Sequence, residues 1–287
     1  MRSGTSWLYE QLRAHKDIYM SEQKELYFFN NFYDHGIDWY AGHFPSAKAA
    51  VNYKAIGEIT PTYMANPDTA ARIHAHLPNS RFLVMLRNPV DRAISEYTKR
   101  LRDYNFKGTF DDAVKRSNGV LDRGCYTEQL ERYFRFFPRD RFLILIFEDA
   151  VSNHQATIQK LAAFLEVDPH GFDLNRMKQK VNPSYLPRLP GLYSSTVKVK
   201  RYLQRKDLGR ILTTAEKLGL HQAARSVFRF RGPRAQLPEL DEKARNRLAD
   251  LYAPEIRSLE ELLDMDLSIW RSQPQSSDLN LLKRPAL

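Results

Sequence analysis

Two short runs of consecutive apolar residues, Phe-Leu-Val-Met-Leu over 82–86 and Phe-Leu-Ile-Leu-Ile-Phe over 142–147, constrain the fold of this chain more than any other feature. Neither run alternates apolar with polar residues, so neither suits a strand with one wet face. Both fit strands buried on two sides, as in a parallel sheet covered by helices. The surrounding pattern supplies the helices. Trp7, Leu8 and Leu12 recur at helical spacing within 5–14. Residues 67–77 read as helical and are stopped by Pro78-Asn79. A helix opens at Pro89, a residue suited to a first turn, and carries Ala93, Ile94, Tyr97 and Leu101 on one side. Further helices are predicted over 126–136, 156–165 and 240–263, with a short strand over 54–59. Strands alternating with helices predict an α/β fold with a mainly parallel sheet.

A chain of 287 residues can bury a sizeable core. With 43% apolar and 12% aromatic residues it reads as globular. No run of eighteen apolar residues predicts a membrane span, and no signal-peptide pattern opens the chain. The lone Cys125 excludes an internal disulfide and cysteine-type metal clusters, so a cytoplasmic setting is the expectation. The eight histidines show no ligand spacing, and no metal is expected. The net charge of +10 is concentrated. Between Tyr185 and Arg234 twelve Lys or Arg face only Asp207 and Glu216. Such a stretch is either a solvated helical face or a contact for a polyanion, including an anionic membrane surface. Nucleic acid is not expected, because no finger spacing or aromatic-basic motif accompanies the charge.

Two segments carry anion-binding chemistry. Arg-Ser-Gly-Thr-Ser-Trp-Leu over 2–8 sets a glycine and three hydroxyls, Ser3, Thr5 and Ser6, at the start of a helix. Gly4 lets backbone N–H groups approach an anion, the helix start adds partial positive charge, and Arg2 adds a planar cation. A plain Ser/Thr helix cap explains the Ser-Gly-Thr portion equally well. Leu-Arg-Asn-Pro-Val-Asp-Arg-Ala-Ile-Ser over 86–95 puts Arg87 at the carboxyl end of a buried strand, where open α/β sheets bind ligands. Ser95 lies two turns into the following helix. Separately, Arg87 has an ion pair with Asp91 or Glu148 as its ordinary explanation. In register with a glycine loop, the two segments predict a pair of phosphate cradles. The loop has no Walker spacing, so ordinary ATP or GTP use is not supported.

The 2–8 segment resembles the Lys/Arg-Ser-Gly-Thr-Thr-x-Leu loop of sulfotransferases that use 3′-phosphoadenosine 5′-phosphosulfate, and Arg87 with Ser95 resembles that family's 3′-phosphate pair. Residues 24–29 (Lys-Glu-Leu-Tyr-Phe-Phe), 36–40 and 57–63 look like the glycan-modifying, heparan sulfate branch. The resemblance covers residues 2 to about 165. It implies a P-loop-like three-layer α/β fold, with a mainly parallel central sheet flanked by helices. It implies Glu25 as general base toward the acceptor, Arg2 as the charge facing the departing 5′-phosphate, and Arg2, Ser3, Gly4, Thr5, Ser6, Trp7, Arg87 and Ser95 as donor-binding residues. Trp7 resembles an adenine-contacting aromatic, with a core tryptophan as the equal alternative; Tyr126 is a weaker candidate of that kind. Lys24 and Tyr27 are the expected acceptor-side contacts, although a surface salt bridge from Lys24 explains Glu25 as well.

The chain departs from the family pattern in four places. Arg2 replaces the commoner lysine, as in tyrosylprotein sulfotransferases. Ile59 stands where the heparan sulfate branch has a lysine. The late cofactor loop of that branch has only an echo in residues 231–234. The family has a strand leading into the phosphate loop, whereas this sequence starts at Met1, so a version extended by about ten apolar residues is expected to be more stable and more active. The expectation is one sulfotransferase domain, with a core over 2–183 and 235–271, a basic helical insert over 184–234 and a loose tail over 272–287. It transfers a sulfuryl group to a hydroxyl, less readily an amine, of a carbohydrate or glycolipid, with the basic insert at the acceptor or at the inner membrane face. The alternative is a non-catalytic binder of nucleotide or polyanion; a kinase with an unusual loop is a third.

Overall fold

A computed structural model describes residues 2–177, 190–205 and 242–271. Among these residues, four strands form two parallel pairs: β1 (Ile18–Met20) with β2 (Ala55–Gly57), and β3 (Phe82–Leu86) with β4 (Phe142–Ile146). The pairs are not hydrogen-bonded to each other. β3 and β4 are the two apolar runs, in register from Phe82 opposite Phe142 to Leu86 opposite Ile146. Phe147 leaves the strand and opens a helix instead.

Helices pack on both faces of the β3–β4 pair, and the pleat explains how. Successive side chains point to opposite faces of a strand. Val84, Leu86, Ile144 and Ile146 therefore share one cluster, and Leu83, Met85, Leu143 and Leu145 share another. The second cluster is filled by α1 (Thr5–Leu12) through Trp7, Leu8 and Leu12. Three short helices follow: α2 (Phe28–Asn31), α3 (Ile37–Ala41) and α4 (Ala47–Ala50). Of these, α2 and α3, with α5 (Thr69–His76), line a third, aromatic cluster containing Phe28, Phe29, Tyr40 and Phe137. The first cluster is filled by α6 (Pro89–Tyr104), α7 (Phe110–Arg116) and α8 (Tyr126–Phe134). α9 (Phe147–Ser152) and α10 (His154–Leu165) return to the second, which α11 (Leu174–Met177) closes with Met177. α12 (Pro190–Arg205) packs on α6, and α13 (Glu242–Leu263) completes the first cluster with Leu248, Tyr252, Ile256 and Leu259. Fully burying such a side chain contributes about 1.5–3 kcal/mol, and Leu86 and Ile146 at the strand ends are among those buried.

α6 starts where the sequence predicts. Pro89 occupies its first turn and the Asn88 side chain accepts from the Val90 amide at 2.9 Å. Of the basic stretch, only α12 is described; the remainder, and the tail from 272, lie outside the described residues. No described helix is long and apolar enough to cross a membrane.

Candidate active site

The segment ahead of α1 is shaped by one glycine. Gly4 has φ +82°, and a Cβ built there would meet the Phe147 ring at 2.5 Å and Met85 Sδ at 2.9 Å. No other residue fits without displacing strand-end side chains. Beyond it α1 is pinned by Leu8, 1% exposed, and Trp7, 6% exposed. The Trp7 indole N–H donates to the Met177 carbonyl at 2.8 Å. Trp7 is therefore a core residue in this structure, because its ring is buried in the second cluster and its polar edge is taken up by the Met177 carbonyl. Fixing α1 fixes its first backbone N–H groups, which have no intrahelical acceptor and point out of the helix start. Thr5 and Ser6 stand in that first turn. Ser3 is buried and hydrogen-bonded to the Tyr126 phenol, which donates to the Arg87 carbonyl at 2.9 Å. Tyr126 thus links the loop to the end of β3.

Arg2, Arg87 and Ser95 meet beside this helix start. Arg2 Nε donates to Ser95 Oγ at 2.9 Å, and Arg87 Nη1 donates to the Arg2 carbonyl at 3.2 Å. The Arg87 guanidinium lies over Phe147, 5.1 Å from the ring centre, and its Nε is enclosed without a hydrogen-bond partner. An enclosed N–H left unpaired costs about 1–3 kcal/mol. Burial first, then the nearby Arg102, and also Arg87, hold the Arg2 pKa below its ordinary value; Glu96 and Asp103 oppose them. Crowded cations and a hydroxyl form a donor set suited to phosphate oxygens. The two cradles read separately in the sequence are linked here, because Arg2, at φ +70°, reaches from the loop to Ser95 on α6.

Arg102 and Lys99 were not anticipated. Both bridge to Asp103, at 2.6 and 3.6 Å. Ser95, Lys99 and Arg102 share one face of α6 by their i, i+4, i+7 spacing, and that pattern was available in the sequence. Of the ordinary partners of Arg87, Asp91 is engaged elsewhere, while Glu148 is held by hydrogen bonds and still feels the Arg87 charge. Asp91 pairs with Arg245 at 2.5 Å. Glu148 accepts from the Asn88 amide at 3.1 Å and from the Trp270 indole at 3.0 Å, while Asn88 Nδ2 donates to the Trp270 carbonyl at 3.0 Å. Burial raises the Glu148 pKa, against the lowering effect of these hydrogen bonds and of Arg87. Trp270 thereby clasps the ends of β3 and β4 together from far along the chain.

The acceptor-side candidates approach the same helix start from another direction. Lys24 Nζ donates to Ser6 Oγ at 2.5 Å and lies 3.9 Å from Glu25 Oε1. The Tyr27 phenol donates to Glu25 Oε2. Glu25 and Tyr27 have φ of +62° and +56°. A left-handed conformation costs a non-glycine residue about 1–2 kcal/mol, so this turn is held by its surroundings. Behind it lies the 57–63 segment, whose Glu58 carboxyl is pushed up to about 7, by burial first, with Glu25 adding to the rise. Ile59 packs into the second cluster. The salt bridge considered for Glu25 is present, yet it sits beside the loop and not on open surface. Among the described residues, no His, Cys, Asp or Glu group is arranged to hold a metal ion.

A profile of the sulfotransferase domain matches residues 1–196. Over 97 residues the chain is 43% identical to a membrane-associated sulfotransferase of Dictyostelium discoideum, covering 34% of this chain and 21% of that protein. Over 172 residues it is 31% identical to heparan sulfate glucosamine 3-O-sulfotransferase 6 of Mus musculus, covering 57% of this chain and 49% of that protein. The matches therefore span half or less of these curated relatives. In fold the chain is similar to a crystal structure of a sulfotransferase from Alicyclobacillus acidocaldarius, with a TM-score of 0.64 and 22% identity over 94% of this chain and 95% of that one.

Proposed function

The chain belongs to the sulfotransferase domain family, and on that footing we propose that it transfers a sulfuryl group from 3′-phosphoadenosine 5′-phosphosulfate to a hydroxyl, less readily an amine, of a carbohydrate or glycolipid acceptor. The observation that carries this reading is convergence. Arg2, Arg87 and Ser95 gather at the start of α1, and Lys24 brings Glu25 to the same place. Arg87 and Ser95 would hold the 3′-phosphate, and Arg2 with the N–H groups of α1 would hold the 5′-phosphosulfate. Glu25 takes the proton from the acceptor hydroxyl as its oxygen bonds to sulfur. The bond between sulfur and the 5′-phosphate oxygen breaks, and the electron pair leaves on that oxygen. Arg2 and Lys24 offset the negative charge that develops there. As in phosphoryl transfer, positioning and charge do most of this work. The carbohydrate acceptor is supported by the kinship with a heparan sulfate sulfotransferase, and by an acceptor-side turn resembling that branch.

Glu25→Gln tests the assignment. It is expected to lower kcat by about 100- to 10,000-fold, the range associated with losing a general base. Affinity for 3′-phosphoadenosine 5′-phosphate should stay within about twofold, because no cradle contact is removed. Full turnover in Glu25→Gln would rule out Glu25 as the base.

A further inference from the structure

The turn carrying Glu25 is held from behind by a carboxyl group that sulfuryl transfer does not use. Glu58 follows β2, and its Oε2 accepts from Thr60 Oγ1 at 2.6 Å. The same carboxyl is hydrogen-bonded to the Tyr63 phenol and the Leu26 amide. Thr60 Oγ1 accepts from the Tyr27 amide at 3.4 Å, and the Ile59 carbonyl accepts from the Glu25 amide at 3.2 Å. The amides of residues 25, 26 and 27 are therefore all received by the 58–60 segment. Farther along, Phe29 N–H donates to Tyr63 Oη at 3.4 Å and Asn30 Nδ2 to Thr62 Oγ1 at 3.0 Å. Glu58 is half-buried as a residue, but its Oε1 is enclosed and has no hydrogen-bond partner.

We propose that Glu58 is a positioning residue for Glu25: it holds residues 25–27 in the left-handed turn that carries the Glu25 carboxylate and the Lys24 ammonium to the start of α1. The proposal rests on Glu25 being the base. The titratable groups facing Glu58 are Glu25 from the turn, Tyr40 from α3, Tyr63 from its own segment and Tyr133 from α8. Burial raises all three tyrosines, with Glu58 adding to the rise, so they stay neutral. Burial, and then the Glu25 charge, push Glu58 up to about 7 from an ordinary 4.5. The folded state therefore holds this proton more tightly than the unfolded chain. Its stabilising contribution is complete below the ordinary value and is lost as pH rises through about 7. A glutamine keeps the accepting carbonyl and the shape but does not ionise.

The test compares the wild type with Glu58→Gln, Glu58→Ala and Thr60→Val. Glu58→Ala is expected to lower kcat by about 10- to 100-fold, the size of effect a displaced base produces. Affinity for 3′-phosphoadenosine 5′-phosphate should remain within about twofold, and the amides of Glu25, Leu26 and Tyr27 should exchange with solvent at least about tenfold faster while those of α6 do not change. Thr60→Val, which cuts the link to the Tyr27 amide, should move kcat and exchange the same way and serves if Glu58→Ala does not fold. Glu58→Gln should restore kcat to within about threefold and flatten the fall in melting temperature expected of the wild type between the ordinary 4.5 and about 7. Unchanged kcat and exchange in Glu58→Ala or Thr60→Val, or a wild-type pH dependence in Glu58→Gln, would overturn the proposal. The exchange data also separate it from the assignment of the base. If Glu25→Gln keeps its turnover while Glu58→Ala frees the turn, Glu25 is not the base; if the turn stays protected, Glu58 does not hold it.

Discussion

The donor side and the acceptor side of this site are built by different means. On the donor side most groups hang from the end or face of a regular element, with Gly4 and Ser6 at α1, Arg87 at the end of β3 and Ser95 on α6, and Arg2, at φ +70°, is the exception. Burial of Leu8, Leu86 and Ala93, each at 1% exposure or less, sets the register of those elements. On the acceptor side Glu25 and Tyr27 sit in an irregular turn at positive φ, and side-chain hydrogen bonds from Glu58, Thr60 and Tyr63 hold it. The donor side is thus rigid by packing, and the acceptor side by a small polar network. Variants should divide accordingly: damage to the packing weakens nucleotide affinity, and damage to the network slows turnover.

Gly4→Ala should give the largest effect on stability. The new methyl meets Phe147 and Met85 inside 3 Å, at a φ that alanine disfavours. We expect a loss of about 2–4 kcal/mol in urea unfolding, from overpacking and the left-handed backbone together, and a matching weakening of nucleotide affinity. An alanine variant of wild-type stability would mean that the loop is not clamped against the strand ends. Trp270→Phe should give a smaller effect. It removes the indole N–H from Glu148 but keeps most of the buried ring. The expected loss is about 1.5–3 kcal/mol, because a hydrogen bond to an acidic group disappears. Nucleotide affinity should fall several-fold with kcat nearly unchanged, and calorimetry with steady-state kinetics would check the split. A fall in kcat alone would place the clasp on the acceptor side.

Much of the donor side was legible in the sequence. The unbroken apolar runs located β3 and β4, Pro89 located α6, and the short spacing from Arg87 to Ser95 kept both within reach of the loop. Those signals are local, and burial enforces them. Arg102 lies two helical turns beyond Ser95 on the same face of α6. The Thr109 and Asp112 capping box of α7 was likewise readable, since Thr-x-x-Asp is a helix-start pattern. Other features were not. β1 spans three residues, too few for periodicity to register. Trp270 reaches Glu148 across 122 positions, and no local pattern announces that contact. The left-handed turn at 25–27 consists of residues with no local reason to adopt it; the 58–63 segment supplies the reason. Trp7 illustrates the remaining gap, because an aromatic at the start of a helix reads the same whether it meets a nucleotide or the core.

The central claim is that Arg87 and Ser95 grip one end of a nucleotide whose other end lies on α1. Calorimetric titration with 3′-phosphoadenosine 5′-phosphate and with AMP, on the wild type and on Arg87→Ala, tests it most directly. The account predicts that the wild type binds the 3′-phosphorylated nucleotide about 100-fold more tightly than AMP, the scale of two charge-assisted contacts, and that Arg87→Ala removes the preference. Equal affinity for the two nucleotides in the wild type would contradict it.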